Sequence, residues 1–193
     1  MSNKIKASII ITNYNYSKYL TRCLRSCFNQ SLDRSHYEVI LVDDNSSDNS
    51  MNVAKKFKNE KNFFIIKNKK NLGVAGSSNQ GILKSRAEFV VRVDSDDFVS
   101  NDFLRFLIFY LQDNEAAFCV SCDYHYVDDN GDKYKRVKYD EIPVSCGVMY
   151  RKDKLIKLGM YNVEFKHREE EELRARLGSI YKIQNLKIAL PKS

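Results

Sequence analysis

An α/β fold, with a mainly parallel central sheet flanked by helices, is the architecture this sequence predicts, and three observations carry the expectation. Over the first hundred residues, short apolar runs alternate with segments of helical periodicity four times in succession. Two of those apolar runs stop abruptly in acidic, turn-forming clusters. The length of 193 residues suits one domain with a real core and is too short for two comfortable ones.

Ala7 to Thr12 reads as the first strand, followed by a loop from Asn13 to Ser17. Leu20, Cys23, Leu24, Cys27 and Phe28 then recur at i, i+3, i+4, i+7 and i+8, which is one apolar helix face. Tyr37 to Val42 is the second strand and runs straight into Asp43-Asp44-Asn45-Ser46-Ser47-Asp48, rich in turn formers and helix N-caps. A lysine-rich helix is expected over about Asn49 to Lys58, and a third strand over Phe63 to Lys67. Gly73 and Gly76 read as loop punctuation, with a helix from about Ser77 to Ser85. Phe89 to Val93 is the fourth strand and ends at Asp94-Ser95-Asp96-Asp97.

Four strand–helix units in a row predict right-handed crossovers and a parallel sheet. Ligands of such sheets bind outside the carboxyl ends of the strands, where this chain carries its acidic clusters. Farther on, Phe103 to Gln112 reads as a helix, Phe118 to Tyr126 as a strand, Asp129-Asn130-Gly131 as a turn, and Val144 to Tyr150 as a strand. Proline occurs only at Pro143 and Pro191, and no repeat or low-complexity linker divides the chain.

Composition is that of a soluble globular domain, with 43% hydrophobic and 30% charged residues. No window approaches the roughly 18 consecutive apolar residues of a membrane span, and the first residues lack a secretory apolar stretch. A cytoplasmic location is expected. The five cysteines are an odd count, so reduced thiols are expected. Cys119 and Cys122 form a CxxC, but no second pair accompanies it, and buried small hydrophobes are the plainer reading.

The formal charge is +7, with seven lysines between Lys55 and Lys70 and a second group at Lys133, Lys135, Arg136 and Lys138. Such patches attract polyanions, although a solvated face explains any single lysine equally well. No zinc finger, RNA-binding aromatic signature or helix-turn-helix supports nucleic acid. Peripheral contact with the anionic inner face of a membrane is the partner the charge favours.

Asp94, Asp96 and Asp97 lie within four positions just past an apolar strand. Crowded carboxylates repel one another unless a cation neutralises them, and hard oxygen ligands suit Mg²⁺ or Mn²⁺ held together with substrate phosphates. The alternative is a loop whose Asp97 or Ser100 caps the next helix. Asp44 closes a neighbouring strand, where a carboxylate can accept a hydrogen bond from a base N–H. Thr12 and Tyr14 bring a hydroxyl and an aromatic ring to the same edge, which is a sensible nucleotide pocket.

The ordered series of Thr12-Asn13-Tyr14-Asn15, Val42-Asp43-Asp44-Asn45-Ser46-Ser47-Asp48, Asn71-Leu72-Gly73 and Val93-Asp94-Ser95-Asp96-Asp97 resembles family 2 glycosyltransferases of the GT-A fold. Cys146-Gly147-Val148-Met149-Tyr150-Arg151, Lys157-Leu158-Gly159 and an acidic motif ending in Glu172-Leu173 extend the likeness to about residues 6–177. The resemblance implies one GT-A domain over residues 1–193, with a nucleotide-binding half over about 1–100 and an acceptor-side half over about 101–193. It implies a nucleobase pocket of Thr12, Tyr14 and Asp44, usually for uracil, and Asp94 facing ribose or metal. Asp96 and Asp97 would lie at the metal and diphosphate, with Asp96 the first choice as ligand of Mn²⁺ or Mg²⁺.

It further implies an inverting, metal-dependent transfer from a nucleotide sugar, expected to be UDP-linked, to a carbohydrate or lipid-linked acceptor. In Arg168-Glu169-Glu170-Glu171-Glu172-Leu173, alignment on Glu172-Leu173 puts Glu170 where the family usually carries the Asp that serves as base. Glu170 is the expected base and Glu169 the second candidate. The plainer alternative is an acidic first helical turn favoured by the helix dipole, which is preferred for Glu171.

This chain has Ser78 before Asn79 where many relatives carry a phosphate-binding Arg, so that cation is sought in Arg86 or Arg92, or is lacking. Of three histidines, only His167 stands near the acidic motif. A nucleotidyltransferase of similar sheet would show a Gly- and Arg-rich loop after the first strand, and a non-catalytic sugar-nucleotide binding module remains the third alternative.

Overall fold

Residues 4–128, 130, 132–165, 167–178 and 180–192 are described by the computed structural model. The first three β/α units run β1 (Ala7–Asn13), α1 (Ser17–Phe28), β2 (Tyr37–Asp43), α2 (Ser50–Lys55), β3 (Phe63–Lys67) and α3 (Gly73–Lys84). Strand β4 (Phe89–Asp94), the two-residue β5 (Phe98–Val99), α4 (Phe103–Asp113), β6 (Cys119–Val127) and β7 (Lys133–Val137) follow. The chain closes with β8 (Met149–Arg151), α5 (Lys152–Lys157), α6 (Glu169–Gly178) and β9 (Gln184–Lys192).

The strands form one sheet in the order β3-β2-β1-β4-β8-β6-β9-β5, with β7 paired to β6. Strands β1 to β4 are mutually parallel, and β3 is an outer edge of the sheet. The predicted parallel half is therefore present, and the second half is mixed. From β1 the chain winds outward through β2 and β3, then crosses to the other side of β1 as β4. That reversal makes the β1/β4 crevice the switch point at which open α/β sheets bind ligands. Register brings the strand ends level, with Thr12 opposite Asp94 and Asn13 opposite Asp43.

Both faces of the parallel strands are covered, which is why they read as unbroken apolar runs. Ile9, Ile11, Val39, Leu41, Val91 and Val93 bury one way, with Leu20, Cys23 and Leu24 of α1 and Leu104 and Leu107 of α4. Ile10, Ile40, Val42 and Val90 bury the other way, with Ile82 of α3, Leu155 of α5 and Leu173 and Leu177 of α6. A side chain at Gly81 would meet Ile10 Cγ2 at 2.4 Å, so that glycine lets α3 lie close on β1.

Helix α3 starts at Gly73, four residues ahead of the expected Ser77. The physical reason lies outside the segment. Asp44 accepts hydrogen bonds from Leu72 N and Gly73 N, both at 2.8 Å, and so caps the helix from β2, while Gly73 enters at a φ of +74°. In the other direction, α2 ends at Lys55 instead of running to Lys58. The expected strand near Val144 is confined to Met149–Arg151, because Gly147 turns at a φ of +86° and donates to Arg92 O. Strands β5, β7 and β9 had no signal in the sequence. In the expected turn at Asp129-Asn130-Gly131, Asp129 and Gly131 lie outside the described residues.

All five cysteines are buried free thiols, and burial pushes Cys119 up to about 12. No described helix is long and apolar enough to cross a membrane.

Candidate functional site

Two asparagines in the left-handed region, Asn15 at a φ of 59° and Asn45 at 65°, turn the chain sharply at the ends of β1 and β2. The two loops are then tied together. Asn13 Nδ2 donates to Asp43 Oδ1 at 3.0 Å and to Ser46 Oγ at 3.1 Å, and Asn15 Oδ1 accepts from Ser47 N at 2.8 Å. Asp48 accepts from Ser17 N at 2.8 Å and Ser50 N at 2.9 Å, the first residues of α1 and α2. Burial works against the ionised Asp48, but its bonds to Ser50 and Ser17 outweigh that and hold the carboxyl down at about 2. Asp43 and Asp48 are thus scaffold.

Beside this scaffold lies a cleft of about 740 Å³. Thr12, Tyr14, Asp44, Asp94 and Asp96, all expected at the site from sequence, line it together with Asn71, Leu72 and Gly73. Tyr14 and Tyr16 are 48% and 44% exposed, so their rings are available to a ligand. Asp44 is buried, and Oδ1 also accepts from Asn68 Nδ2 at 2.8 Å. Thr12 Oγ1 donates to Asp94 Oδ1 at 3.4 Å across the switch point. The opposite wall is Val163, Phe165 and His167, from the segment before α6.

Asp97, named with Asp96 as a metal ligand, is 8% exposed and stands outside the lining, where the Cys146 thiol bonds to it. The Asp96 carboxyl is raised by burial and by the charge of Asp94, against a lowering backbone hydrogen bond and the charge of Arg22. Among the described residues no three His, Cys, Asp or Glu side chains converge as a metal cage. Asp94 and Asp96 nonetheless fit a hard divalent cation of the kind held by one or two carboxylates plus phosphate oxygens and water.

Glu169 and Glu170 open α6 beyond the lining. Glu169 is 6% exposed and ion-paired to Arg92 Nη1 at 2.9 Å. Glu170 is half-buried, and burial together with the charge of Glu169 raises its carboxyl against a lowering backbone bond.

The two arginines considered for a donor phosphate are both committed elsewhere. Arg86 pairs at 2.8 Å with buried Glu38, at the end of the sheet opposite the cleft, and Arg92 is buried between Asp94 and Glu169. Sequence reasoning missed Arg22 of α1, whose guanidinium donates to Asp96 O at 3.3 Å and covers the Phe98 ring at 4.4 Å. The structural duty of Arg92 did leave a signal, since an arginine inside Phe89-Val90-Val91-Arg92-Val93 must find a buried partner.

The family model described as glycosyl transferase family 2 matches residues 8–174. Among curated proteins, the poly(ribitol-phosphate) beta-N-acetylglucosaminyltransferase TarS of Staphylococcus aureus is 34% identical over 102 residues, which is 52% of this chain and 18% of that protein. A crystal structure of S. aureus TarS in complex with UDP superposes with a TM-score of 0.83 at 22% identity, over 98% of this chain and 60% of that one. The mannosyltransferase PcManGT of Pyrobaculum calidifontis, in complex with GDP-Man and Mn²⁺, gives 0.79 at 17% identity, over 98% and 57%. At those identities the superpositions establish the GT-A fold. The chain spans less than two thirds of each of these relatives, from 18% to 60% of their length.

Proposed function

The chain belongs to glycosyl transferase family 2, and from that premise we propose that it moves a sugar from a uridine diphosphate sugar to an acceptor hydroxyl, with inversion and with a divalent cation. The observation that carries this reading is the convergence of Thr12, Tyr14, Asp44, Asp94 and Asp96, from the ends of three parallel strands, on one cleft at the switch point.

Uridine is favoured over guanosine by the lone pairs of Asp44. Two donors, Asn68 Nδ2 and Leu72 N, already occupy Oδ1, and Gly73 N occupies one side of Oδ2. One acceptor position remains, which suits the single imide N–H of uracil and leaves one donor of guanine's N–H and amino pair unmet. The exposed Tyr14 ring supplies a stacking face.

Asp96, with Asp94 beside it, would hold Mn²⁺ or Mg²⁺ and leave Asp97 to brace the loop from behind. The cation would neutralise the charge that develops on the departing diphosphate. The described lining of the cleft contains no lysine or arginine, so little else there can do so. Glu170 is proposed to take the proton from the acceptor hydroxyl as its oxygen bonds to the anomeric carbon and the bond to the diphosphate breaks. Its raised carboxyl suits a base, and Glu169 is already held by Arg92. The acceptor is proposed to be a carbohydrate or lipid-linked glycan, with the basic surface giving peripheral contact with an anionic membrane face.

Calorimetry with UDP and GDP, in Mn²⁺ and in EDTA, tests the donor site directly. Mn²⁺-dependent binding of UDP, tighter than GDP by tenfold or more, is the expected result. A preference for GDP would move the donor class, and no binding of either nucleotide would sink the proposal.

A further inference from the structure

Arg92 lies in the middle of a chain of contacts that the proposed reaction does not by itself explain. Its guanidinium hydrogen-bonds Asp94 Oδ2 through Nη2 at 3.2 Å, stands 2.9 Å from Asp94 Oδ1 at Nε as an ion pair without hydrogen-bond alignment, and reaches Glu169 Oε1 with Nη1 at 2.9 Å. The arginine and Glu169 side chains are 8% and 7% exposed, whereas Asp94 is 33% exposed and faces the cleft. The ring of Tyr161 lies 5.6 Å from the guanidinium carbon, and Tyr161 is pinned at both its backbone N–H and C=O by Asn79. One planar fork thus joins a donor-side carboxylate on β4 to the first residue of α6, which is 77 positions from Arg92 itself.

The start of α6 needs such a tie. Glu169, Glu170, Glu171 and Glu172 crowd its first turn, and like charges at that spacing push apart. Glu172 is neutralised by Arg176, which also donates to Leu158 O and Met160 O just past α5. Glu169 is drawn inward by Arg92, and this fixes the direction in which its neighbour Glu170 projects.

We propose that Arg92 is a positioning residue that ties Asp94 to the start of α6 through Glu169, so that donor seating and the stance of Glu170 are set as one unit. This rests on the glycosyltransferase reading above for its catalytic consequence, and on geometry alone for the tie. Glu169 is then the counter-ion of Arg92 and not the base.

The test compares wild type with Arg92→Lys, Arg92→Met and the double variant Arg92→Met/Glu169→Met. Removing both charges together spares the fold the cost of an unpaired buried ion. Melting of the double variant is therefore expected within a few degrees of wild type, even where Arg92→Met alone is poorly folded. Amide hydrogen exchange over Glu170 to Leu173 is expected to quicken at least tenfold in the double variant. Turnover is followed as UDP release to water from whichever of UDP-glucose, UDP-galactose and UDP-N-acetylglucosamine the wild type hydrolyses fastest. A kcat at least tenfold lower, a KM within about threefold, and partial rescue by Arg92→Lys are expected.

Unchanged exchange at the start of α6 overturns the tie whatever the activity. Recovery of kcat together with melting temperature in the double variant overturns the positioning role. Failure of the wild type to bind UDP with Mn²⁺ is a separate result, which removes the glycosyltransferase reading while the exchange measurement still decides the tie.

Discussion

Asp44, Asp94, Asp96, Glu169 and Glu170 are five carboxylates with different duties, and their partners separate them. Asp44 is filled by two backbone amides and the Asn68 side-chain amide except at one position, Asp94 is clamped by Arg92, and Asp96 faces the cleft with its proton affinity raised. Asp96→Ala is therefore expected to weaken Mn²⁺-dependent UDP binding at least tenfold in calorimetry, with melting of the free protein little changed. Glu170→Gln removes the proposed base and keeps the shape. It should lower turnover by about 10²-fold or more while leaving UDP affinity intact, measured as donor consumption at saturating donor. Because burial raises the Glu170 carboxyl, its basic form is lost as pH falls, and turnover should decline on the acid side at a higher pH than an unperturbed glutamate would give.

At the scale of elements, the legible parts were those with a strong local period. Strand β3 was read at its true limits, and α1 was found from Leu20, Cys23, Leu24 and Cys27, all of them buried. The early start of α3 was hidden because its cap, Asp44, comes from another strand, and glycines read locally as loop. Strand β9 was hidden because Gln184–Lys192 carries a proline and little alternation, and its partners β6 and β5 are remote in sequence. Of the site, the carboxylates were visible as motifs, whereas the division of labour between Glu169 and Glu170 depends on a contact with Arg92 that no local pattern encodes.

Asp48 offers a test at this scale. It holds the first amides of α1 and α2, so Asp48→Ala should cost about 1 kcal/mol of stability in denaturant unfolding, the usual worth of a helix cap. Its folded carboxyl sits below its ordinary value, so the stabilisation is full above about pH 4 and disappears as pH falls toward about 2. The difference between wild type and variant should shrink over that window. Gly81→Ala, which drives a methyl into Ile10, should cost about 1–3 kcal/mol.

For the whole molecule, the cleft draws on the ends of β1, β2 and β4, on α3 and on the segment before α6, so a bound nucleotide braces the parallel half of the sheet against that segment. UDP with Mn²⁺ at 100 times its dissociation constant should add about 2.7 kcal/mol to stability, which for a chain of this length raises the melting temperature by about 5–10 °C. EDTA should abolish the shift.

The sheet's outer edge has a consequence of a different kind. Strand β3, Phe63-Phe64-Ile65-Ile66-Lys67, presents an unpaired row of backbone groups on a segment as apolar and β-prone as those that nucleate fibrils. Lys61 precedes it, Lys67 ends it, and Lys69 and Lys70 follow it, all exposed. Four of the 32 lysines and arginines thus stand as gatekeepers at an edge strand to which a second copy could add a strand. Neutralising those four lysines to glutamine should leave UDP binding untouched and shorten the lag of thioflavin-positive aggregation during refolding, before β2 has paired with β3.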